Sequence, residues 1–567
     1  MSSIDVDSVA PRASVEQERT AISRGRFVTM PATRSIVIAM AMMVTVGFAL
    51  RLTGLGTVSF AEDEINKVEA VRAYDRGDFT VNAEHPMLMK VLMDLSVRAS
   101  RVWNSSAGGN ITEEAAIRFP NVLFGALTAV PLFLLTAALF DRRTALLAAA
   151  FWSVGVNAIT YNRIGKEDTL MVFFLLLAFY FFIRAKLAID QTRISWLRNL
   201  SAISFGLMMA AKYFPHYLGL NMLYHHYYRM RERLPNEPRW VTPLSFFILI
   251  GVAFVVANPA ILSPRVWEYL NAYSGEKLLT HTGYLMGNHL YKNTASASPF
   301  WGLPVYFYFL FLAIKVPLAI LATFIVGVAL SLRRWREPGP GFVLFMLFFW
   351  LVPYSLFGAK WLRYTLSLMP YVYMSAAIGT LAIMRGIDAL TEKWKINQAV
   401  PQFATGLILI ACLLLPAWSS YANAPHYALY TNTLGRSYSG FFFPHDEFYD
   451  DGLDKAIRFV CGTAPAGATI VSETPGALRY YSEKFGRTDL QSKVLSDPAF
   501  SPSENIPTYV VLQRGRTYFE NTAEMKDVRA RFTLVYAGCI SGHTAVEVYA
   551  APTIATAPVP PCGDLRP

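Results

Sequence analysis

Apolar runs separated by short basic segments fill the first three quarters of the chain. They lie at 35–50, 117–140, 144–161, 169–186, 197–211, 214–228, 241–257, 303–330, 341–357, 364–384 and 402–421. Most match the roughly 17–25 residues that cross a hydrocarbon layer about 30 Å thick. The pattern predicts a membrane all-α protein with about eleven transmembrane helices, the two between 197 and 228 being the shortest. Two polar interruptions are long, 52–114 and 258–302. Loops of that length between spans usually carry structure and function. Interfacial helices lying on the membrane surface are expected there, at 65–74 and 87–102.

Beyond 421 no further spanning run occurs, and the period changes. Segments 468–472, 508–513, 532–536 and 544–550 read as strands and 475–485 as a helix, giving a small α/β domain over 422–551. The Pro- and Ala-rich stretch 552–567 reads as a flexible tail. At the other end, 1–34 is polar and carries Arg12, Arg19, Arg24, Arg26 and Arg34, the composition of a disordered cytoplasmic tail. Run 35–50 lacks a small-residue cleavage site and is read as the first span of a transmembrane region covering 35–421, not as a removable signal.

Charge then sets orientation. Asp141-Arg142-Arg143, 184–198, 229–239, Arg333-Arg334-Trp335-Arg336 and 385–395 are all rich in Lys or Arg, as cytoplasmic loops are. Placing them inside requires an odd number of spans. The N-terminus is then cytoplasmic and the C-terminal domain extracytoplasmic, in a multi-pass plasma (inner) membrane protein. The net charge of +11 is therefore topology, which removes nucleic acid as a partner. Cys412 sits in an apolar run. Cys461, Cys539 and Cys562 fall in the C-terminal region, where an oxidising compartment would allow one disulfide.

Candidate chemistry gathers on the outer side. Glu62-Asp63-Glu64 opens the first long loop. A carboxylate at a poorly hydrated interface has its pKa raised and can take a proton from a hydroxyl, whereas acids at a helix start can equally be caps. Glu84-His85-Pro86, with Lys90 downstream, could hold a sugar hydroxyl. The less favoured alternative is a divalent metal site with Glu84, for which partners such as His281 or His289 would have to come from the later loop. Arg163, Lys166, Glu167 and Asp168 crowd a turn on the face where cations are unexpected, and Lys212, Lys360 and Arg363 share that face. An anionic lipid headgroup would explain them, since Arg offers a fork that fits phosphate and Lys a point charge. Lys315 lies inside a span, where a cation is functional by default. A transporter or flippase of lipid-linked sugars is the rival class, but no internal repeat is present and the acids lie in an outer loop.

The order of these motifs resembles the protein O-mannosyltransferases and their bacterial relatives, the polyprenyl-phosphate-sugar glycosyltransferases of the C-type superfold, among them the lipid A aminoarabinose transferases. The likeness rests on Asp63-Glu64, on His85-Pro86 with Lys90, and on Arg118 through Gly125. Asn162-Arg163 with Asp168, Lys315-Val316-Pro317, and Arg363-Tyr364 with Pro370 complete it. It implies an inverting transferase that moves mannose or a similar sugar from a polyprenyl-phosphate donor to a hydroxyl, on a polypeptide or a glycolipid. Asp63, with Glu64 and Asp168, would be catalytic. Lys212, Lys360, Arg363 and Arg163 would bind the donor phosphate, and Glu84, His85 and Lys90 the acceptor or sugar. The chain reads Glu84-His85-Pro86-Met87 and has no room for the β-trefoil of the fungal and animal enzymes, so the likeness speaks to the donor more than the acceptor.

Overall fold

The computed structural model describes residues 33–213, 244–274, 281–294, 296–297, 301–497, 507–554 and 557–562. The N-terminal tail up to residue 32, the expected span 214–228 and the basic loop 229–239 lie outside the described residues.

Helix α1 (Thr33–Leu52) is apolar from Ile36 to Leu50, with Arg51 near its end. That guanidinium is buried and donates to Asn162 Oδ1 at 3.0 Å and to the carbonyls of Trp152 (3.0 Å) and Ser153 (3.2 Å), which fixes the helix end against later spans. The first long loop then folds into α2 (Glu62–Tyr74) and α3 (Met87–Ala107), the two segments expected as interfacial helices. Helices α4 (Glu113–Leu127) and α5 (Ala129–Leu139) make one 27-residue apolar span. Next come α6 (Arg142–Val154), N-capped by Asp141, and the short α7 (Val156–Tyr161). They break at Gly155, where a Cβ would lie 2.1 Å from the Tyr373 hydroxyl. Helices α8 (Asp168–Leu187) and α9 (Gln191–Ala211) follow, then α10 (Leu244–Ala257) and α11 (Pro264–Ser274).

The second long loop contains a hairpin, β1 (Gly283–Met286) with β2 (His289–Lys292). The run 303–330 is not one helix. It divides into α12 (Phe307–Lys315) and α13 (Leu318–Arg333) at Pro317, which has no N–H to continue the ladder. Helices α14 (Pro338–Leu356), α15 (Met369–Lys393) and α16 (Ala399–Ala422) complete the membrane region. Between α14 and α15 a 3-10 turn, Leu362–Ser367, carries Arg363. Helices α13 and α15 cross at paired glycines. A Cβ on Gly327 would meet Ser375 O at 1.8 Å, and one on Gly379 would meet Thr323 O at 1.9 Å. Small residues permit such close approach in membranes. Five described helices, counting α4 with α5, are long and apolar enough to cross a membrane, and this is a multi-pass membrane protein.

Past α16 the chain forms α17 (Pro444–Phe448), α18 (Leu453–Thr463), β3 (Thr469–Ser472), α19 (Pro475–Lys484), β4 (Gln491–Val494), β5 (Thr508–Gln513), α20 (Thr522–Arg531), β6 (Thr533–Ile540) and β7 (His543–Ala550). The sheet order is β4-β3-β5-β7-β6, with β4, β3 and β5 parallel and β7 antiparallel to both its neighbours. Edge strand β4 escaped the sequence reading because Gln-Ser-Lys-Val shows no apolar alternation. The tail expected to be mobile is tied down in its described residues. Cys562 is bonded to Cys539, leaving Cys461 free, and Val559 N donates to Leu534 O at 3.0 Å.

Candidate active site

Helix α2 begins three residues before the expected 65–74, so Asp63 lies inside its first turn. The capping role falls to its neighbours. Glu64 Oε2 accepts from Ala61 N at 3.0 Å, and Asp450 Oδ2 accepts from Glu62 N at 3.0 Å. Glu64 is also gripped by Arg118, at 2.7 Å (Nε to Oε1) and 2.6 Å (Nη2 to Oε2), and takes Gly165 N at 2.7 Å. Both members are buried and their hydrogen-bonding capacity is used. Glu64 thus clamps α2 to α4 and, unlike Asp63, faces into the fold. The ambiguity between cap and base is divided between adjacent residues, because consecutive helical side chains point about 100° apart.

Asp63 is the one that faces outward, its side chain 31% exposed. Arg363 donates to its Oδ2, as does the Tyr449 hydroxyl at 2.9 Å, and Lys166 Nζ stands 3.1 Å from Oδ1. Burial alone would raise this carboxyl. Arg363, then Lys166, outweigh it and hold it well below the usual carboxylate range. The raised pKa expected of an interfacial acid is therefore corrected: in the absence of donor, two cations keep Asp63 ionised. Lys166 is shifted up, Asp63 overcoming its burial.

The remaining cations divide by what they touch. Lys212, at the end of α9, donates to Asp168 Oδ1 at the start of α8, and its Nζ lies 4.8 Å from the centre of the Tyr364 ring. Arg363 Cζ lies 5.5 Å from the same ring. Tyr364 therefore has both cations within reach of one aromatic ring, and Asp168 Oδ2 is left without a hydrogen-bond partner. Lys360 and Arg163, expected at the phosphate, are spent elsewhere. Lys360 Nζ donates to the carbonyls of Leu303 (2.8 Å) and Phe357 (2.7 Å). Arg163 donates to those of Arg51 (2.7 Å) and Gly54 (3.2 Å) and lies 4.8 Å from the centre of the Tyr427 ring. Both side chains are hydrogen-bonded to backbone carbonyls in this structure and stand apart from the cluster around Asp63.

His85 is half-buried, with Lys67 and Lys166 nearby, and desolvation with these cations drives it well below the usual histidine range despite Glu167 at 3.5 Å. It is a neutral imidazole beside Asp63. Glu167 is paired with buried Lys67, a residue the sequence reading passed over. Lys90 donates to the carbonyls of Asn82 (2.8 Å) and Val81 (3.3 Å), bracing the loop that carries Glu84 and His85. Glu84 accepts from Asn82 Nδ2. The metal set does not assemble. His281 stacks on Tyr518 with ring centres 4.2 Å apart, His289 is exposed on β2 against Tyr291, and no group of three metal-binding side chains occurs among the described residues. Lys315 serves the fold: it pairs with Glu447 and donates to Ala428 O and Tyr430 O, each at 2.9 Å, closing α12 onto the C-terminal region.

One face of α4 explains the motif from Arg118 to Gly125. Arg118 holds Glu64, Asn121 Nδ2 donates to Lys166 O, and Gly125 lets Asn162 pack where a Cβ would be 2.6 Å from its side chain. Spaced three and four apart, these positions share a helix face and jointly set the 162–168 turn against α2. Tyr449 was missed, although the acidic run from His445 to Asp454 was a visible signal.

Residues 106–262 match the family model described as dolichyl-phosphate-mannose-protein mannosyltransferase. No curated protein sequence matches the chain. Among solved structures, ArnT from Cupriavidus metallidurans bound to undecaprenyl phosphate aligns at TM-score 0.51 and 13% identity, covering 93% of this chain and 100% of that one. The oligosaccharyltransferase of Archaeoglobus fulgidus in its apo form aligns at TM-score 0.50 and 11% identity, covering 84% and 69%. The resemblance read from the motif order holds, and at these identities what is shared is the fold.

Proposed function

We propose, for a chain whose residues 106–262 match a mannosyltransferase family model and whose fold is shared with ArnT, that it is an inverting glycosyltransferase using a polyprenyl-phosphate sugar. The sugar is mannose or a close relative, and the acceptor is a hydroxyl of a protein Ser/Thr, a lipid or a glycan. The observation that carries this reading is the meeting of Asp63 with Arg363 and Lys166, with Lys212 across Tyr364.

The donor phosphate enters among Arg363, Lys166 and Lys212. Its charge competes with Asp63 for the first two cations, which frees the carboxylate to accept a hydrogen bond from the acceptor hydroxyl. As the acceptor oxygen bonds to the anomeric carbon, its proton passes to Asp63 and the bond from that carbon to the phosphate oxygen breaks. The leaving polyprenyl phosphate carries one more negative charge than it did within the donor. Arg363, Lys166 and Lys212 stabilise that charge, so no strong general acid is required. Asp168, with one oxygen on Lys212 and one unpartnered, orients a sugar hydroxyl. An extracytoplasmic site is supported by the placement of basic loops and by the Cys539–Cys562 disulfide.

The test is mass spectrometry of glycoproteins and glycolipids from cells with the gene, without it, and complemented with Asp63→Asn. A hexose-bearing product restored by the wild type and not by the variant is expected. Identical profiles in all three strains would overturn the proposal.

A further inference from the structure

The segment from His445 to Asp454 joins the membrane region to the sheet, and its acids grip both halves of the candidate site. Asp446 Oδ1 accepts from Leu362 N at 3.1 Å, one residue before Arg363. Asp450 takes Glu62 N at the start of α2 and is itself held by Arg516 Nε at 2.7 Å and Gln513 Nε2 at 2.8 Å, from the end of β5 and the loop beyond it. Asp454 and Ser59 exchange hydrogen bonds at 2.6 and 3.1 Å. Within this frame Tyr449 and Asp450 are consecutive residues with left-handed backbones, at φ 45° and 64°. L side chains seldom adopt that conformation, and it persists where surrounding structure enforces it, often at functional sites. Its effect is to send the Tyr449 hydroxyl and the Asp450 carboxylate to successive residues of the same helical turn.

We infer that Tyr449 is a positioning residue that fixes which oxygen of Asp63 receives the acceptor proton. Its hydroxyl donates to Oδ2, the oxygen also taken by Arg363, whereas among the described residues Oδ1 faces Lys166 alone. When the donor phosphate draws Lys166 and Arg363 away, Tyr449 still holds Oδ2 and Oδ1 is the oxygen left open. The C-terminal region thereby completes the site. This inference rests on Asp63 being the base.

Charged and titratable groups reach Asp63 from every side. Lys166 and Asp168 come from the 162–168 turn, His85 from the loop before α3, and Arg363 and Tyr364 from the 3-10 turn. His445 and Tyr449 come from the segment described here, and Glu62 and Glu64 from α2 itself. Burial and the nearby Asp63 carboxylate shift the Tyr449 phenol well up, so it remains a neutral donor throughout the working range. Removing one donor from a carboxylate raises its proton affinity. A purely structural tyrosine would leave that affinity alone.

Wild type, Asp63→Asn and Tyr449→Phe are compared in nanodiscs, with release of undecaprenyl phosphate followed from a panel of undecaprenyl-phosphate sugars, mannose first. For Tyr449→Phe we expect the acid limb of the kcat profile to move up by about one pH unit and plateau kcat to fall about tenfold, the scale of one hydrogen bond to a charged group. KM for the donor should stay within about twofold, since Tyr449 does not bind the phosphate. Difluorotyrosine at 449, a stronger donor of the same shape, should move the limb the opposite way, and it carries the test by itself if Tyr449→Phe does not accumulate. A limb unchanged in both variants, with Asp63→Asn inactive, overturns the role of Tyr449. Wild-type turnover in Asp63→Asn, or none by the wild type across the panel, overturns the proposed reaction instead.

Discussion

Arg363 donates to Asp63 Oδ2 across 300 positions of chain, joining the first long loop to the turn before the penultimate described membrane helix. An ion pair this specific beside the spans of a membrane protein has a chemical consequence. The cation that lowers the proton affinity of Asp63 in the resting protein is the one suited to a phosphate, so donor binding and base activation draw on the same side chain.

Arg363→Ala should therefore weaken undecaprenyl phosphate binding by about tenfold or more, the scale of one or two charge-assisted hydrogen bonds. Arg363→Lys should recover only part of this, since an ammonium lacks the bidentate fork. Titration of the purified variants with undecaprenyl phosphate measures both, and an affinity equal to wild type would remove Arg363 from the phosphate site.

Asp63→Asn should abolish sugar transfer, a loss of at least about a hundredfold in kcat, while the protein still inserts and binds undecaprenyl phosphate at least as well. The pH dependence of stability has a definite sign. Asp63 is depressed in the folded state, so its contribution is present above the unfolded carboxyl range and is lost as pH falls through the lower folded value. The wild type should hold its advantage over Asp63→Asn at pH 6 and lose it progressively below about pH 4. Thermal unfolding of the two proteins across that interval checks it; a difference independent of pH would contradict the ion pairs.

Much of this architecture is legible in the sequence, for physical reasons that also mark where legibility stops. Apolar runs must satisfy their backbones internally in lipid, so helices such as 168–187 declare themselves by length and composition. Asp63, Lys212 and Arg363 stand out because charge is costly where they sit. Which charge does what is not legible, because a buried Arg satisfied by carbonyls and a buried Arg waiting for phosphate carry the same letter. Arg163 and Lys360 turned out to be the first kind. Tyr449 was hidden for another reason: its role depends on a left-handed backbone and a contact 386 positions away, and neither leaves a periodic trace.

Glu64 and Arg118 are predicted to matter for folding more than for chemistry. Removing one member of a buried, bidentate pair leaves the other uncompensated, at a cost of about 3–5 kcal/mol. Glu64→Ala should therefore lower the melting temperature by several degrees or prevent accumulation in the membrane, with turnover per folded molecule reduced far less than in Asp63→Asn. Gel filtration with fluorescence detection and thermal ramps separate the two quantities. A Glu64→Ala protein of wild-type stability that is catalytically dead would return Glu64 to the chemistry.

Lys360 offers the sharpest contrast with Arg363, because the two are three residues apart and were expected to act alike. Lys360 is buried, no carboxylate pairs with it among the described residues, and burial pushes its ammonium down to about 8. Its hydrogen bonds go to Leu303 O and Phe357 O, tying the end of α14 to the start of α12. Lys360→Met keeps the length of the chain and removes the donor. The two carbonyls would lose their partner at a cost of about 1–3 kcal/mol, whereas the affinity for undecaprenyl phosphate should stay within about twofold of wild type. The same titration applied to Arg363→Ala decides between them. A tenfold loss of affinity in Lys360→Met at unchanged stability would mean that this ammonium leaves its carbonyls to meet the donor.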